Sequence, residues 1–516
     1  MAVKKDYFDI DYLRPDIIKK AVRGAGAMVF SQTLGFMIQI TSTIILARLL
    51  APEDFGLVAM VTTFSLLLQN FGMNGFTEAI IQKEDINHEM ISTLFWINAG
   101  ISLALTLFFM AMAPLLGSFF REPRLQLITV VVALSIISTG LSTLHSALLK
   151  RNMQFYLLSA IGIANQLICV STTIALAWFG YKYWALVVNT VCMQLVHGIG
   201  VWIFCTWRPG MPARRTGVGK IISFALNTYG NFTMNYCSRN LDNLLVGRFC
   251  GSESLGYYKK AYDLFALPVN QLTAPLTSVA LAALSRFCNE PEKYRRHYLE
   301  SVSTLAFIGM GLSLLLTLMA KDLILLVLGP QWGKAGEIFA FFSPGIGIML
   351  LYGTHGWLHL SLGRPDRWFR WGIFEFIIIA LFFLIGISFG PSGVAVAWTA
   401  SFYILIGPCL WYAGRPIELQ VSDVFAAIWK YFMAAAVAGI ACWFILYAYD
   451  LTSPVFLACN IFMRIFVSLI LCIPLYFIMV IAFYRSLKPI LQFIRLFYEM
   501  LPVNFIKKEA DTKLKR

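Results

Sequence analysis

The stretch ILARLLAPEDFGLVAM, residues 45–60, has a counterpart in LLVGRFCGSESLGYYK, residues 244–259. At an offset of 200, Arg48 falls on Arg248, Glu53 on Glu253, Gly56 on Gly256, and hydrophobic Phe55 on Leu255. Asn70 falls on Asn270 in the same register. Each stretch joins one long apolar run to the next, and the interval between them holds six such runs. An even number of spans returns the chain to its starting side, so both copies keep one orientation. The expected architecture is a pair of parallel six-helix lobes related by an axis along the membrane normal, with a cleft between them.

Composition supports a membrane setting for that repeat. Hydrophobic residues make up 59% of the 516 and charged residues 13%, about half the charge of a soluble protein. Runs of about 20 apolar residues, the length that crosses a bilayer as helix, recur from residue 24 to residue 484. The fold class is therefore an all-α polytopic membrane protein. A secreted enzyme, a nucleic-acid binder and a soluble Rossmann or barrel fold are excluded. Fourteen spans are predicted: 24–46, 57–80, 90–117, 125–145, 157–179, 183–204, 220–247, 255–285, 298–320, 336–360, 370–388, 393–413, 422–447 and 454–484. They group into an N-terminal lobe over 24–204, a linker over 205–219, a C-terminal lobe over 220–413, and two extra spans over 422–484. No small-residue cleavage site follows the first run, so no cleavable leader is expected.

The net charge of +14 resolves once it is mapped onto the loops. The N-terminal tail 1–23, Lys83, Lys150 and Arg151, Arg208 to Lys220, Arg286 to Arg296, Arg364 to Arg370, Arg415 and the tail 485–516 hold 29 Lys and Arg. The alternate turns hold seven: Arg48, Arg121, Arg124, Lys182, Arg248, Lys321 and Lys334. The positive-inside rule places the first set, with both termini, in the cytoplasm. The second tail reads as an interfacial amphipathic segment, with Leu487, Ile490, Leu491, Ile494 and Phe497 at helical spacing. The cysteines lie mostly within apolar runs with no CxxC pair, which argues against a disulfide scaffold.

Polar residues inside a membrane helix are costly and must face protein, a cavity or headgroups. Span 7 carries Asn227, Asn231, Asn235 and Arg239 at steps of four, continued by Asp242 and Asn243. Such a stripe reads as a wet cleft wall or as interhelical hydrogen bonding. Span 8 carries Lys259, Lys260, Asp263, Asn270 and Gln271; Lys259 with Asp263 and Arg239 with Asp242 are spaced to pair. Pro268 and Pro275 are expected to break span 8, with Gly72 and Gly75 as the weak points of span 2. The first lobe offers neutral groups, Gln39, Asn70 and Asn74 among them, beside Glu78. The extra spans add Lys430 and Arg464, the latter near mid-span, facing the cleft or lipid phosphates. Arg48, Glu53, Gly56 and their partners Arg248, Glu253 and Gly256 form a candidate gate, with charges bonding across a seam and glycines allowing close approach. His355 and His359, one turn apart, read as packing, a proton relay or a metal site, although no HExxH or acidic ligand accompanies them. No Walker A motif and no selectivity-filter sequence is present.

The run from Ser238 to Phe287, with Ala47 to Met60, resembles the polysaccharide transporter branch of the multidrug/oligosaccharidyl-lipid/polysaccharide exporter superfamily, nearest to exporters of the colanic-acid and teichuronic-acid type. The resemblance implies a non-enzymatic flippase of the bacterial inner membrane. Its cargo would be polyprenyl-diphosphate-linked oligosaccharide repeat units for exopolysaccharide or lipopolysaccharide assembly. Polysaccharide polymerase, glycosyltransferases and membrane lipids would be partners, and nucleic acid would not. No cofactor is implied, with proton or sodium coupling left open. It assigns Arg239, Lys259 and Lys260 to a basic region and Asp242 to its acidic residue, in a cationic cavity between two bundles. Ala283 stands where the family pattern often has proline, before Leu284-Ser285-Arg286. The physical fit is good: arginine forks pair with a diphosphate, and Asn, Gln, Tyr and Thr satisfy sugar hydroxyls. A multidrug/cation antiporter of the same superfamily and a lipid II flippase are the alternatives. The excess of bases over carboxylates in the spans argues against the antiporter.

Overall fold

The computed structural model describes residues 17–82, 86–213, 218–448, 460–491 and 493. They divide into two units, residues 1–259 and 260–516. The N-terminal unit contains α1 (Ile17–Leu49), α2 (Pro52–Gln82), α3 (His88–Ala111), α4 (Ala113–Phe120), α5 (Leu125–Arg151), α6 (Phe155–Trp178) and α7 (Tyr183–Phe204). The long α8 (Gly219–Leu284) begins there and continues into the C-terminal unit. The latter adds α9 (Pro291–Leu318), α10 (Ala320–Leu328), α11 (Gly333–Phe342), α12 (Gly345–Tyr352), α13 (His355–Ser361), α14 (Pro365–Gly386), α15 (Gly390–Gly414), α16 (Val421–Trp443) and α17 (Ile461–Tyr484). Among the described residues, nine stretches are long and apolar enough to cross a membrane. A tenth is added if the pair 330–342 and 345–361, bent by 52°, counts as one span. The protein is an all-α polytopic membrane protein.

Its surface is inverted relative to a soluble fold. Leu107, Phe108, Ile199, Ile203, Ile440 and Phe466 are more than half exposed, whereas Ser135, Asn98 and Ser401 are buried completely. Hydrocarbon around the helices accounts for the first set, and helix packing for the second. In the N-terminal unit, α5 is the central post. Asn98 donates to the Gly140 carbonyl at 2.8 Å, and Gln69 donates to Ser135 Oγ at 2.9 Å. Gly140 lies so close to Ser102 that a Cβ there would overlap it. Small and hydroxylated residues thus replace the bulky apolar contacts of an aqueous core. In the C-terminal unit the core gathers around Tyr298, Leu305, Phe307 and Tyr476. Each buried phenol there is satisfied: Tyr298 with Thr354 at 2.8 Å, and Tyr476 to the Phe307 carbonyl at 2.8 Å.

Several boundaries depart from the sequence expectation. The predicted span 90–117 is two helices, α3 and α4, meeting at Met112. The expected turn between spans 7 and 8 is present: the two helices of α8 meet across a kink at Gly251, at φ 84°, ψ 178°, and the second runs on to Leu284. Pro268 and Pro275 do not break it, because the helix runs through both positions with helical dihedrals. Gly72 and Gly75 also lie within continuous helix. The tail segment 1–16 and most of the expected amphipathic segment after 493 lie outside the described residues.

Candidate functional site

The first half of α8 leans on α2 through tyrosine. The Tyr229 hydroxyl donates to the Leu67 carbonyl at 3.0 Å, and Tyr236 donates to the Thr63 carbonyl at 2.8 Å. Seven residues up α8 correspond to four residues down α2, so the two segments run antiparallel. Helical i−4 carbonyls carry a spare lone pair, which is what the phenols use. Beside this seam lies the expected polar stripe. The side chains of Asn227, Asn231 and Asn235 on α8, and of Asn74 and Glu78 on α2, lie outside the described residues. Arg239 is exposed. Asp242 is buried, at 1% exposure, accepts the Tyr258 hydroxyl at 2.8 Å and accepts the Asn243 N–H at 2.7 Å. The expected Arg239–Asp242 pair is not formed, because Asp242 turns inward to Tyr258. Asn243 donates to Asn240 at 3.2 Å.

Where α8 bends at Gly251, it meets the start of α2. A Cβ on Gly56 would overlap the Ser252 carbonyl oxygen, and a Cβ on Gly256 would overlap the Pro52 carbonyl oxygen. The two glycines and the two carbonyls are each 200 residues apart, so the contact is reciprocal. The charges flanking the glycines bond elsewhere. Glu53 pairs with Arg124, which also holds Glu122 at 2.8 Å. Glu253 accepts the hydroxyl of Tyr257 on its own helix at 3.0 Å. Arg248 lies over the rings of Phe119 at 5.6 Å and Phe249 at 5.7 Å, and Arg48 is exposed. At these two glycines the turns meet through backbone, and the described partners of Glu53, Glu253 and Arg248 lie elsewhere. Asp54 accepts the N–H groups of Ala51 and Tyr183, both at 3.0 Å, tying the α2 start to α7. Burial pushes its carboxyl up, against the pull of those two donors.

The remaining expected residues are dispersed. Lys259 and Lys260 are half-buried, while Asp263, Asn270 and Gln39 are exposed. Asn70 donates to its own helix at the Leu66 carbonyl, at 2.7 Å. Arg464 is in the first turn of α17, after the Asn460 cap, rather than at mid-span. It forms an ion pair with Asp322 of α10, the only carboxylate of that short helix. Lys430 Nζ lies 4.8 Å from the Tyr484 ring centroid. His355 and His359 are buried edge-to-face at 5.9 Å between ring centres, and His355 Nδ1 lies 2.6 Å from the Tyr352 carbonyl. No group of three metal-ligating residues occurs among the described residues. Sequence reasoning missed Tyr229, Tyr236 and Tyr258; the i, i+7 spacing of the first two was the available signal.

Residues 45–337 match the family described as "Polysaccharide biosynthesis protein". The chain belongs to this family. Among relatives of this polysaccharide biosynthesis protein, the teichuronic acid biosynthesis protein TuaB of Bacillus subtilis (strain 168) is 25% identical over 431 residues. That alignment covers 83% of this chain and 89% of TuaB. The lipopolysaccharide biosynthesis protein WzxC of Escherichia coli (strain K12) is 23% identical, over 79% of this chain and 85% of its own. The fold is similar to that of the lipid II flippase MurJ, solved in an inward closed conformation, with a TM-score of 0.71 at 16% identity. The match spans 90% of this chain and all of MurJ. A multidrug resistance MATE family transporter in an inward-facing conformation matches with a TM-score of 0.60 at 14% identity, over 74% of this chain and 94% of that one. The protein is a multi-pass membrane protein of the polysaccharide biosynthesis family.

Proposed function

We propose that the protein translocates polyprenyl-diphosphate-linked oligosaccharide repeat units across the inner membrane for surface polysaccharide assembly. It works by alternating access and makes or breaks no bond. Family membership and the relatives' roles in teichuronic acid and lipopolysaccharide biosynthesis support the cargo class. The chain has fourteen spans, six in each of two parallel lobes (24–204 and 220–413) and two beyond them, with both termini cytoplasmic. Polysaccharide polymerase and glycosyltransferases work beside it on the same lipid.

The observation that carries the mechanism is the reciprocal closure of Gly56 on Ser252 and Gly256 on Pro52. A contact made of two bare backbones can release without breaking a side-chain network, and its partners sit at matched points of the two repeats. Arg239, Lys259 and Lys260 take the diphosphate, which would otherwise lose tens of kcal/mol of hydration on idealised estimates. Asn231, Asn235, Asn70 and Asn74 serve the sugar hydroxyls, and the isoprenoid tail stays in lipid.

The test is reconstitution into liposomes with a fluorescent polyprenyl-diphosphate oligosaccharide, read by quencher access from outside. Protein-dependent exchange between leaflets is expected. Folded, reconstituted protein that leaves this lipid on its original side would sink the proposal. Superposing residues 24–204 on 220–413 in an experimental structure tests the lobes; an inverted relation would reject them.

A further inference from the structure

At one end of the C-terminal unit, the turn before α14 and the turn after α15 line an open cavity of about 500 Å³. Arg364, Arg367, Arg370 and Arg415 line it, with Asp366, Tyr412 and Pro416. Four guanidinium groups against one carboxylate leave a formal charge of +3. Among the described residues, none of the four arginines forms an ion pair. Asp366 is the one carboxylate of the lining, so three of the four like charges have no offsetting anion there.

The gathering is built by the fold. Gly363 at φ 66° turns the chain sharply, and Pro365 starts α14. Arg367 is fixed: it donates to the Tyr412 carbonyl, its guanidinium carbon lies 4.5 Å from the Tyr412 ring centroid, and its buried Nε has no hydrogen-bond partner. Tyr412 is itself stacked on Trp371, at 5.8 Å. Arg415 lies 5.8 Å from the Trp411 ring centroid. Arg364, Arg370 and Arg415 are exposed around the rim.

The surface beside the cavity narrows the ligand class. Arg370 is followed on α14 by Ile373, Phe374, Ile377 and Leu381, all exposed. Steps of three and four keep them on one helical face, so an apolar track leads away from the cavity along the bilayer-facing side. Trp411 on α15 is 57% exposed next to it. A soluble anion would need the arginines but not the track. A ligand with a charged head and a long apolar tail would use both.

We propose that this arginine cavity binds the phosphate head of an anionic lipid, with the tail lying along the Ile373–Leu381 face of α14. Arginine forks suit phosphate oxygens. Two sources carry this chemistry, an anionic phospholipid and the diphosphate of a polyprenyl lipid. The site shares no residue with the α2–α8 set assigned to cargo, and binding there does not depend on translocation.

The experiment uses the full-length protein in detergent and native mass spectrometry with phosphatidylglycerol, phosphatidylcholine, a polyprenyl diphosphate and inorganic pyrophosphate. The two anionic lipids should bind about tenfold more tightly than phosphatidylcholine, as expected from one or two charge-assisted bonds. The triple variant Arg364→Gln/Arg370→Gln/Arg415→Gln should lose that preference and keep its phosphatidylcholine binding. Arg370→Gln alone, an exposed change that leaves the Arg367–Tyr412 anchor intact, should weaken both anionic lipids measurably, and decides the matter if the triple variant misfolds. Preference for polyprenyl diphosphate over phosphatidylglycerol assigns the site to lipid of the cargo type; the reverse or parity assigns it to bulk phospholipid. Wild-type affinity in the Arg370→Gln protein, equal binding of phosphatidylcholine, or competition by inorganic pyrophosphate as effective as that by lipid would overturn the proposal.

Discussion

Gly56 and Gly256 are each closed in by a backbone carbonyl of the other's turn, Ser252 for the first and Pro52 for the second. Alanine at either position places a methyl group inside that carbonyl. Overpacking of this kind costs about 1–3 kcal/mol when the backbone must shift, more than the roughly 1 kcal/mol of helix propensity gained over glycine. Gly56→Ala and Gly256→Ala should each hold the two turns apart. The check is the crosslinking yield between cysteines at Phe55 and Leu255 in a background without accessible cysteine. Yield should fall in either alanine variant, and an unchanged yield would show that the turns accommodate the methyl group.

Asp242 depends on Tyr258. Tyr258→Phe removes the hydroxyl donor at 2.8 Å and leaves a buried carboxylate with one donor fewer. The expected loss is about 1–3 kcal/mol, seen as a lower melting temperature in detergent. Asp242→Asn in the same background should recover part of it, because the residual buried charge is gone.

A pH effect is expected from the turn before α5. The Arg124 guanidinium holds the Glu122 carboxyl below its ordinary 4.5. A carboxyl lowered in the folded state contributes stability above its ordinary value and loses it as pH falls through that range. Melting temperature should drop as pH falls from about 5 through the lowered carboxyl range, and less steeply in Glu122→Gln. The exposed position of Arg124 keeps the effect under about 1 kcal/mol. A Glu122→Gln protein with the same pH slope as wild type would count against this account.

The Arg464–Asp322 pair is largely buried, with side-chain exposures of 19% and 9%. Removing one partner strands the other, at about 3–5 kcal/mol. Asp322→Leu should lower the melting temperature sharply, and Asp322→Leu/Arg464→Met should restore most of it. If the double variant is no more stable than the single, the pair is not what ties α10 to α17.

Arg239, proposed above to hold the diphosphate, is exposed and makes no ion pair among the described residues. Arg239→Ala should abolish export at normal expression. Arg239→Lys should rescue it only in part, since a point charge replaces a bidentate fork. Full export by the alanine protein would remove Arg239 from the cargo site.

Much of the fold was legible because hydrocarbon imposes a simple rule on composition: long apolar runs become helices. The breaks were harder to read. Proline signals a kink only where the neighbours cannot absorb a lost hydrogen bond, and Pro268 sits in a helix that continues through it. The bend at Gly251 falls in the turn expected between spans 7 and 8, although nothing marked that glycine itself as the hinge. The candidate site was legible as residue types but not as partners. Charge spacing along one helix suggested Arg239 for Asp242, whereas the partner is Tyr258, sixteen residues on and beyond the bend. Glu53 was expected to bond across the repeat, and its partner Arg124 comes from a turn that no local pattern connects to it.

Gly251 and Gly256 lie five residues apart, and they should behave differently under selection. At Gly256 the obstacle to a side chain is a neighbouring carbonyl, so an alanine there can be rescued by second-site changes that move the start of α2. At Gly251 no heavy atom lies within 4 Å of the Cβ position; the obstacle is the torsion pair itself, in a region essentially reserved for glycine. No neighbour can relieve that. A screen for suppressors of loss-of-export alleles should therefore return compensating mutations around Pro52 for position 256, and for position 251 only true revertants.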